Sequence, residues 1–186
     1  MTTALARPEL SAGTWVIDTA HSAVTFSVRH FGLAAVRGGF REFSGQITVG
    51  EDVLAGSVRA EIAIPSIHTF NEARDGHLLS PDFFAAEEHP TAVFTSSAVS
   101  QVDAETFDVK GELTLKGVTK PVELTLTFNG TETDPQSGAL KAGFSATTTI
   151  LRSDFEVGPH YPLPSGKAAI ADKVRIDLEI EAALAS

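Results

Sequence analysis

The chain has 186 residues, 42% of them hydrophobic and 20% charged, which supports a sizeable core within one domain and argues against intrinsic disorder. Its 24 acidic and 14 basic residues give a formal net charge of −10. With no Lys/Arg run anywhere, that balance disfavours nucleic acid as a partner and long-range attraction to an anionic bilayer.

There is no cysteine, which removes disulfides, thiolate nucleophiles, zinc–thiolate sites and iron–sulfur clusters. The opening residues MTTALARPELSAGTW contain no apolar run of signal-peptide length. No segment reaches the roughly 20 apolar residues that span a bilayer. The expectation is a soluble, cytoplasmic protein without a transmembrane segment, with a flexible stretch over residues 1–13 and one domain over 14–184.

In chain order, residues 14–20 and 23–30 read as strands. In the second, Val24, Phe26, Val28 and His30 share one face, which is expected to point inward. Residues 38–49 read as a third strand, with Gly38, Gly39 and Gly45 as bends or bulges. Val58, Ala60, Ile62 and Ile64 then alternate with Arg59 and Glu61.

Thr69, three residues before Glu72, forms a capping-box pattern and predicts a helix over about 70–79. Ser80 and Pro81 predict the start of a second helix running to about 88, which Pro90 ends. Strand patterns resume at 91–100. Phe107, Val109, Leu113 and Leu115 alternate with Asp108, Lys110, Glu112 and Lys116. Val122, Leu124, Leu126 and Phe128 share the next face, and Asn129-Gly130 reads as a turn. After a further strand over 139–151, residues 152–172 carry three prolines and two glycines. They read either as a lid over a cavity mouth or as an irregular crossover. Val174, Ile176, Leu178 and Ile180 close the chain as a last half-wet strand. Eight or nine one-sided strands with tight turns indicate an antiparallel sandwich or closed barrel.

Catalytic patterns are weak. None of the six histidines has a partner at the i, i+4 spacing of a helical zinc site. There is no G-x-S-x-G elbow and no phosphate-cradling glycine loop. Asp75 and His77, two apart on a predicted helix, point in different directions. His30, continuing an apolar face, is either a buried neutral histidine or a polar anchor at one end of a cavity. Twelve phenylalanines against one tyrosine and one tryptophan leave two possibilities, because an eight-stranded barrel either fills with side chains or holds one small ligand.

The segments VIDTAHSAVTFSVRHFG (16–32), VRGGFREFSGQI (36–47), RDGHLLSPDFFAAEEHPTAVF (74–94) and GELTLKGVTKPVEL (111–124), in this order, resemble the YceI-like family, as does the final KVRIDLEIEA. The resemblance implies a lipocalin-like antiparallel eight-stranded barrel with a helical insert around an elongated apolar cavity. It also implies a binding protein for polyisoprenoids such as isoprenoid quinones or prenyl chains, or for other long amphiphiles, without catalytic activity. Two departures stand out: many members are exported, and Glu156 follows Phe155 where the family often has Gly.

On that reading, Phe26, Val28, His30 and Phe43 from the early strands are expected to line the ligand, joined by Ile62 and Ile64. Leu78, Phe83 and Phe84 of the insert and Phe94, Leu113, Leu115, Phe128 and Phe144 of the later strands complete the lining. His30, Arg74 and Arg152 are the head-group candidates. No cofactor, metal or catalytic residue is expected, the bound molecule itself being a lipid, and a homodimer is left open. The rival reading is a metal-dependent hydrolase or cyclase on the same barrel, using His30, His77 and Asp75.

Overall fold

The computed structural model describes residues 10–185. Its strands are β1 (Gly13–Ile17), β2 (Ala23–His30), β3 (Ala34–Phe40), β4 (Phe43–Val49), β5 (Ser57–Ala63), β6 (Ile67–His68), β7 (Thr91–Gln101), β8 (Thr106–Leu115), β9 (Val118–Thr133), β10 (Leu140–Leu151) and β11 (Ile170–Leu184). One α-helix, α1 (Glu72–Leu79), lies between β6 and β7.

These strands form eight barrel staves. β1 and β2 pair with β4 and β3 respectively, and β4 and β3 pair with β5 and β6, so each of these three staves is one long strand broken by a bend. From β5 the sheet runs through β7, β8, β9 and β10 to β11, and β11 closes on β2 and on β1. All pairings are antiparallel and follow chain order, which makes this a closed up-and-down meander in which only the two-residue β6, paired with β3 alone, keeps an open side.

Alternation produces these staves. In β8, Phe107, Val109 and Leu115 are buried while Lys110 and Glu112 are exposed. On the wet face Lys110 meets Glu123 of β9 across the ladder at 3.5 Å. The β8–β9 turn is Lys116-Gly117, both with positive φ, which suits a two-residue hairpin.

Both ends are plugged. Trp15, Val49, Ala142, Phe144 and Ala182 pack across one end, with Leu10 and Phe128 against them. At the other end Ile64, Phe83, Ala86, Leu115, Phe155 and Val157 pack beneath the insert and the 152–158 turn. Of the stretch expected to be flexible, residues 10–13 are tied in: Leu10 joins the plug, Ser11 O accepts from Trp15 Nε1 at 3.0 Å, and Gly13 opens β1. Residues 1–9 lie outside the described residues.

Several local expectations are corrected. Asn71, not Thr69, caps α1 by accepting from the Arg74 N–H at 2.9 Å. Thr69 is instead buried at the end of β6, where Phe70 turns with φ 61° before the helix begins. The second helix does not form. Ser80 closes α1, its hydroxyl donating to His77 O at 2.7 Å, and Ala85 at φ 47° breaks any helical continuation. The glycines of the stave formed by β3 and β4 are close-approach positions rather than bulges: a Cβ on Gly38 would lie 2.5 Å from His68 O and 2.6 Å from Phe26 Cζ. The register shifts fall elsewhere, one of them between Gly143 and Phe144. Asn129-Gly130 is no turn. It lies inside β9 opposite that shift, with Gly130 at φ 111°.

Candidate functional site

Between the two plugs the barrel encloses a cavity of about 260 Å³. Every stave contributes to its wall. Apart from Thr25, Ser44, Thr148 and Arg152, all lining residues are apolar. The Thr25 and Thr148 hydroxyls are committed to backbone carbonyls, of Asp177 at 2.9 Å and Glu123 at 2.7 Å.

Twelve of the expected lining residues border this space: Phe26, Val28 and Phe43, Ile62 and Ile64, Leu78, Phe83 and Phe84, and Phe94, Leu113, Leu115 and Phe144. The insert contributes because the turns after Ser80 swing the Phe83 ring beneath α1, where it is buried. Phe128 does not border the main cavity. It packs on Phe144, ring centroids 5.7 Å apart, in the plug beside a small void of about 50 Å³. Phe128 keeps the inward alternation of Val122, Leu124 and Leu126, opposite Phe144, but lies one step farther toward the plugged end, just before the bulge at Asn129.

His30 also departs from expectation. It is exposed at the last residue of β2, its ring 3.9 Å from that of Phe31. The strand passes out of the barrel before the fourth position of the Val24–Phe26–Val28 face can be covered. Sequence reasoning passed over Phe40, Ile67 and Val157, and the inward face of β11 from Val174 to Ile180. The alternation of β11 had already marked that face.

Of the three head-group candidates, Arg152 alone reaches the cavity. It is buried, and its guanidinium is held entirely by backbone carbonyls. Nε donates to Ala171 O at 3.1 Å, Nη1 to Val157, Gly158 and Pro159 O at 2.9–3.1 Å, and Nη2 to Ile170 O at 3.1 Å. Among the described residues no carboxylate forms an ion pair with it. Nη2 has one protein acceptor for its two N–H groups. Next to it, burial pushes the Asp172 carboxyl up. Hydrogen bonds from the Ser153 hydroxyl and N–H, with the positive charge of Arg152, outweigh this and hold it below its ordinary value.

Arg74 lies elsewhere. Its Nε donates to Thr69 Oγ1 and its Nη2 to Thr69 O, both at 2.7 Å, while the Thr69 hydroxyl donates to Asp75. His77 Nε2 meets Asp82 Oδ2 at 3.1 Å. His30, His77 and Asp75 therefore have separate partners and do not converge. Among the described residues, Asp18, His21 and Glu181 are grouped closely enough to hold a metal, but Lys141 already sits there. Its Nζ donates to Asp18 Oδ2 at 3.1 Å and Glu181 Oε1 at 2.6 Å.

Comparison with known proteins agrees with this architecture. The family model for the YceI-like domain matches residues 15–182. A UPF0312 protein of Pseudomonas putida (strain W619) is 35% identical over 162 residues, covering 87% of this chain and 80% of that protein. The crystal structure of Burkholderia cenocepacia BcnA superposes with a TM-score of 0.77 at 25% identity, over 89% of this chain and 98% of that one. A polyisoprenoid binding domain from Saccharophagus degradans shares the fold, with a TM-score of 0.63 at 16% identity over 94% of this chain and all of that one.

Proposed function

The chain belongs to the YceI-like family, and from that premise we propose that it binds one long apolar or amphipathic molecule, of isoprenoid or fatty type, inside the barrel. One observation carries this reading: an interior cavity of about 260 Å³ whose wall is apolar on every stave and bears a single charged group, Arg152. The polyisoprenoid binding named for the Saccharophagus degradans domain is consistent with it.

Size and energy define the ligand. The cavity lies just under the roughly 300–1,000 Å³ of drug-sized ligand pockets, so it suits a single molecule, or the tail of one, rather than several. Each buried methylene is worth about 0.8 kcal/mol. About ten buried carbons then contribute about 8 kcal/mol, comparable with the 4–15 kcal/mol lost on association. Affinity thus grows with chain length, and short chains bind poorly.

Arg152 supplies polarity without a direct ion pair, the nearby Asp172 carboxylate being held by Ser153. A carbonyl or anionic head group reaching this end of the cavity would accept from the Nη2 N–H left over by Ile170 O. A quinone carbonyl, a carboxylate or a phosphate all meet that requirement.

The test is uptake of a fluorescent long-chain probe by the wild type and by Ala146→Phe. Ala146 is a small lining residue, so a phenyl ring placed there occupies the cavity without burying charge. Uptake is expected to fall at least tenfold, with the circular dichroism spectrum retained. Undiminished uptake in a folded variant refutes binding inside the barrel.

A further inference from the structure

The end of the barrel that carries Arg152 also bears a surface feature that ligand binding does not explain. The exposed aromatic side chains among the described residues, Phe31, Phe70 and Tyr161, all lie at this end. Leu33, 76% exposed, stands beside Phe31 on the β2–β3 turn. That turn is tied to a hairpin in the 159–169 segment. Phe31 N donates to Ala169 O and Ala169 N to Tyr161 O, both at 2.8 Å, and Pro162 bridges Ala168. Lys167 Cδ lies 3.4 Å from the position a Cβ on Gly32 would take.

The two segments that form this rim carry no acidic residue of their own, although Glu156 and Asp172 flank the second of them. Residues 29–37 and 157–171 contain Arg29, Arg37 and Lys167 and no Asp or Glu, against a total of −10. All three cations are exposed, and no described carboxylate forms an ion pair with any of them. The basic residues are scattered in the sequence; folding brings Lys167 against the β2–β3 turn, whose two strands carry Arg29 and Arg37. At physiological ionic strength charges more than about 8 Å away are largely screened, so at contact the cations beside the apolar tips count for more than the acidic residues of the far walls, while Glu156, Asp172 and the insert's Glu72 and Asp82 remain at this end.

We propose that this rim, the β2–β3 turn with the 159–169 hairpin, docks on an anionic lipid bilayer. Phe31, Leu33 and Tyr161 insert at the interface, and Arg29, Arg37 and Lys167 face lipid phosphates. Protruding aromatic and leucine tips ringed by cations match the chemistry of a bilayer interface. The patch is continuous with the cavity wall: Val28 lies three residues before Phe31, and Ile170 follows Ala169. The inference rests on the cavity holding a lipid, since a molecule of that kind passes between bilayer and barrel without crossing water only if the end of the barrel meets the membrane.

The experiment measures co-sedimentation of the full chain with phosphatidylcholine–phosphatidylglycerol vesicles and with pure phosphatidylcholine vesicles. It compares the wild type with the doubly substituted Leu33→Asp, Tyr161→Asp chain and with Val102→Asp, an exposed apolar residue at the opposite end. Probe uptake from cyclodextrin is measured on the same samples. The expected result is binding that favours the anionic vesicles and weakens with salt, lost by about tenfold or more in the rim variant and unchanged in Val102→Asp. No vesicle binding, or equal losses at the two ends, overturns the proposal, and the first result leaves another protein as the partner of the rim. Vesicle binding without probe uptake refutes the cavity reading while the docking stands. Uptake without vesicle binding does the reverse.

Discussion

Asp18 shows how single side chains hold this barrel to its shape. It lies just after β1, where the first stave bends, and its carboxylate accepts from His21 Nδ1 and Lys141 Nζ. The His21 hydrogen bond, followed by that from Lys141, holds the carboxyl down at about 2, against an ordinary 3.8. A carboxyl depressed in the folded state contributes stability above its unfolded value and loses it as pH falls toward the folded one. Asp18→Asn is therefore expected to be less stable than wild type at neutral pH by the modest amount of a surface cluster, about 0.2–1 kcal/mol. The gap should narrow below pH 4 and vanish near pH 2, as read from urea midpoints across that range. Glu156 is the converse case. At φ 56° it occupies a left-handed position in the turn that presents Arg152, which costs an L-residue roughly 1–2 kcal/mol. Glycine at that position costs about 0.5–1 kcal/mol in chain entropy. Glu156→Gly should then raise stability by up to about 1 kcal/mol, measured by thermal melting. Arg152→Met would strand carbonyls at Val157, Gly158, Pro159, Ile170 and Ala171. A loss of about 2–4 kcal/mol is expected, with weaker uptake of probes carrying a polar head than of plain hydrocarbons.

At the scale of elements, close approach decides where staves bend and seal. Gly38 lets β6 and the Phe26 ring come within the distance of a methyl group. Gly38→Ala should cost about 1–3 kcal/mol through forced displacement, while the same change at Gly76, where a Cβ meets nothing within 4 Å, should be tolerated. Chemical denaturation of the two variants checks the contrast. Elements were legible in the sequence where one physical rule governed them. Alternation in β5, β8 and β11 marked the walls because each residue there faces either water or the cavity. The misreadings arose where two rules competed. Ser80 satisfies both an N-cap and a C-cap pattern, and the preceding helix claimed it. Asn129-Gly130 satisfies a hairpin turn and a bulge equally well, and the ladder between β9 and β10 selected the bulge. His30 kept its place on an apolar face, but nothing local shows that the barrel ends at β2's last residue.

The whole molecule is an eight-stave meander with side chains packed across both ends and an apolar interior that they do not fill. Twelve of fourteen expected lining residues border the space because a closed barrel turns strand alternation directly into an inside and an outside. What the sequence withheld was which residues form the plugs, since Phe128 and Phe144 look alike in their strands but only Phe144 borders the main cavity. It also concealed the basic, apolar rim, because Arg29, Arg37 and Lys167 are brought together by topology rather than by proximity in the chain. The central claim is that the interior holds a long apolar molecule. Native mass spectrometry of the purified protein, followed by solvent extraction and re-addition of an isoprenoid chain, tests it most directly. The account predicts one bound molecule per chain, removed by extraction and restored on re-addition. A protein that flies at its bare mass before extraction and takes up no added chain contradicts it.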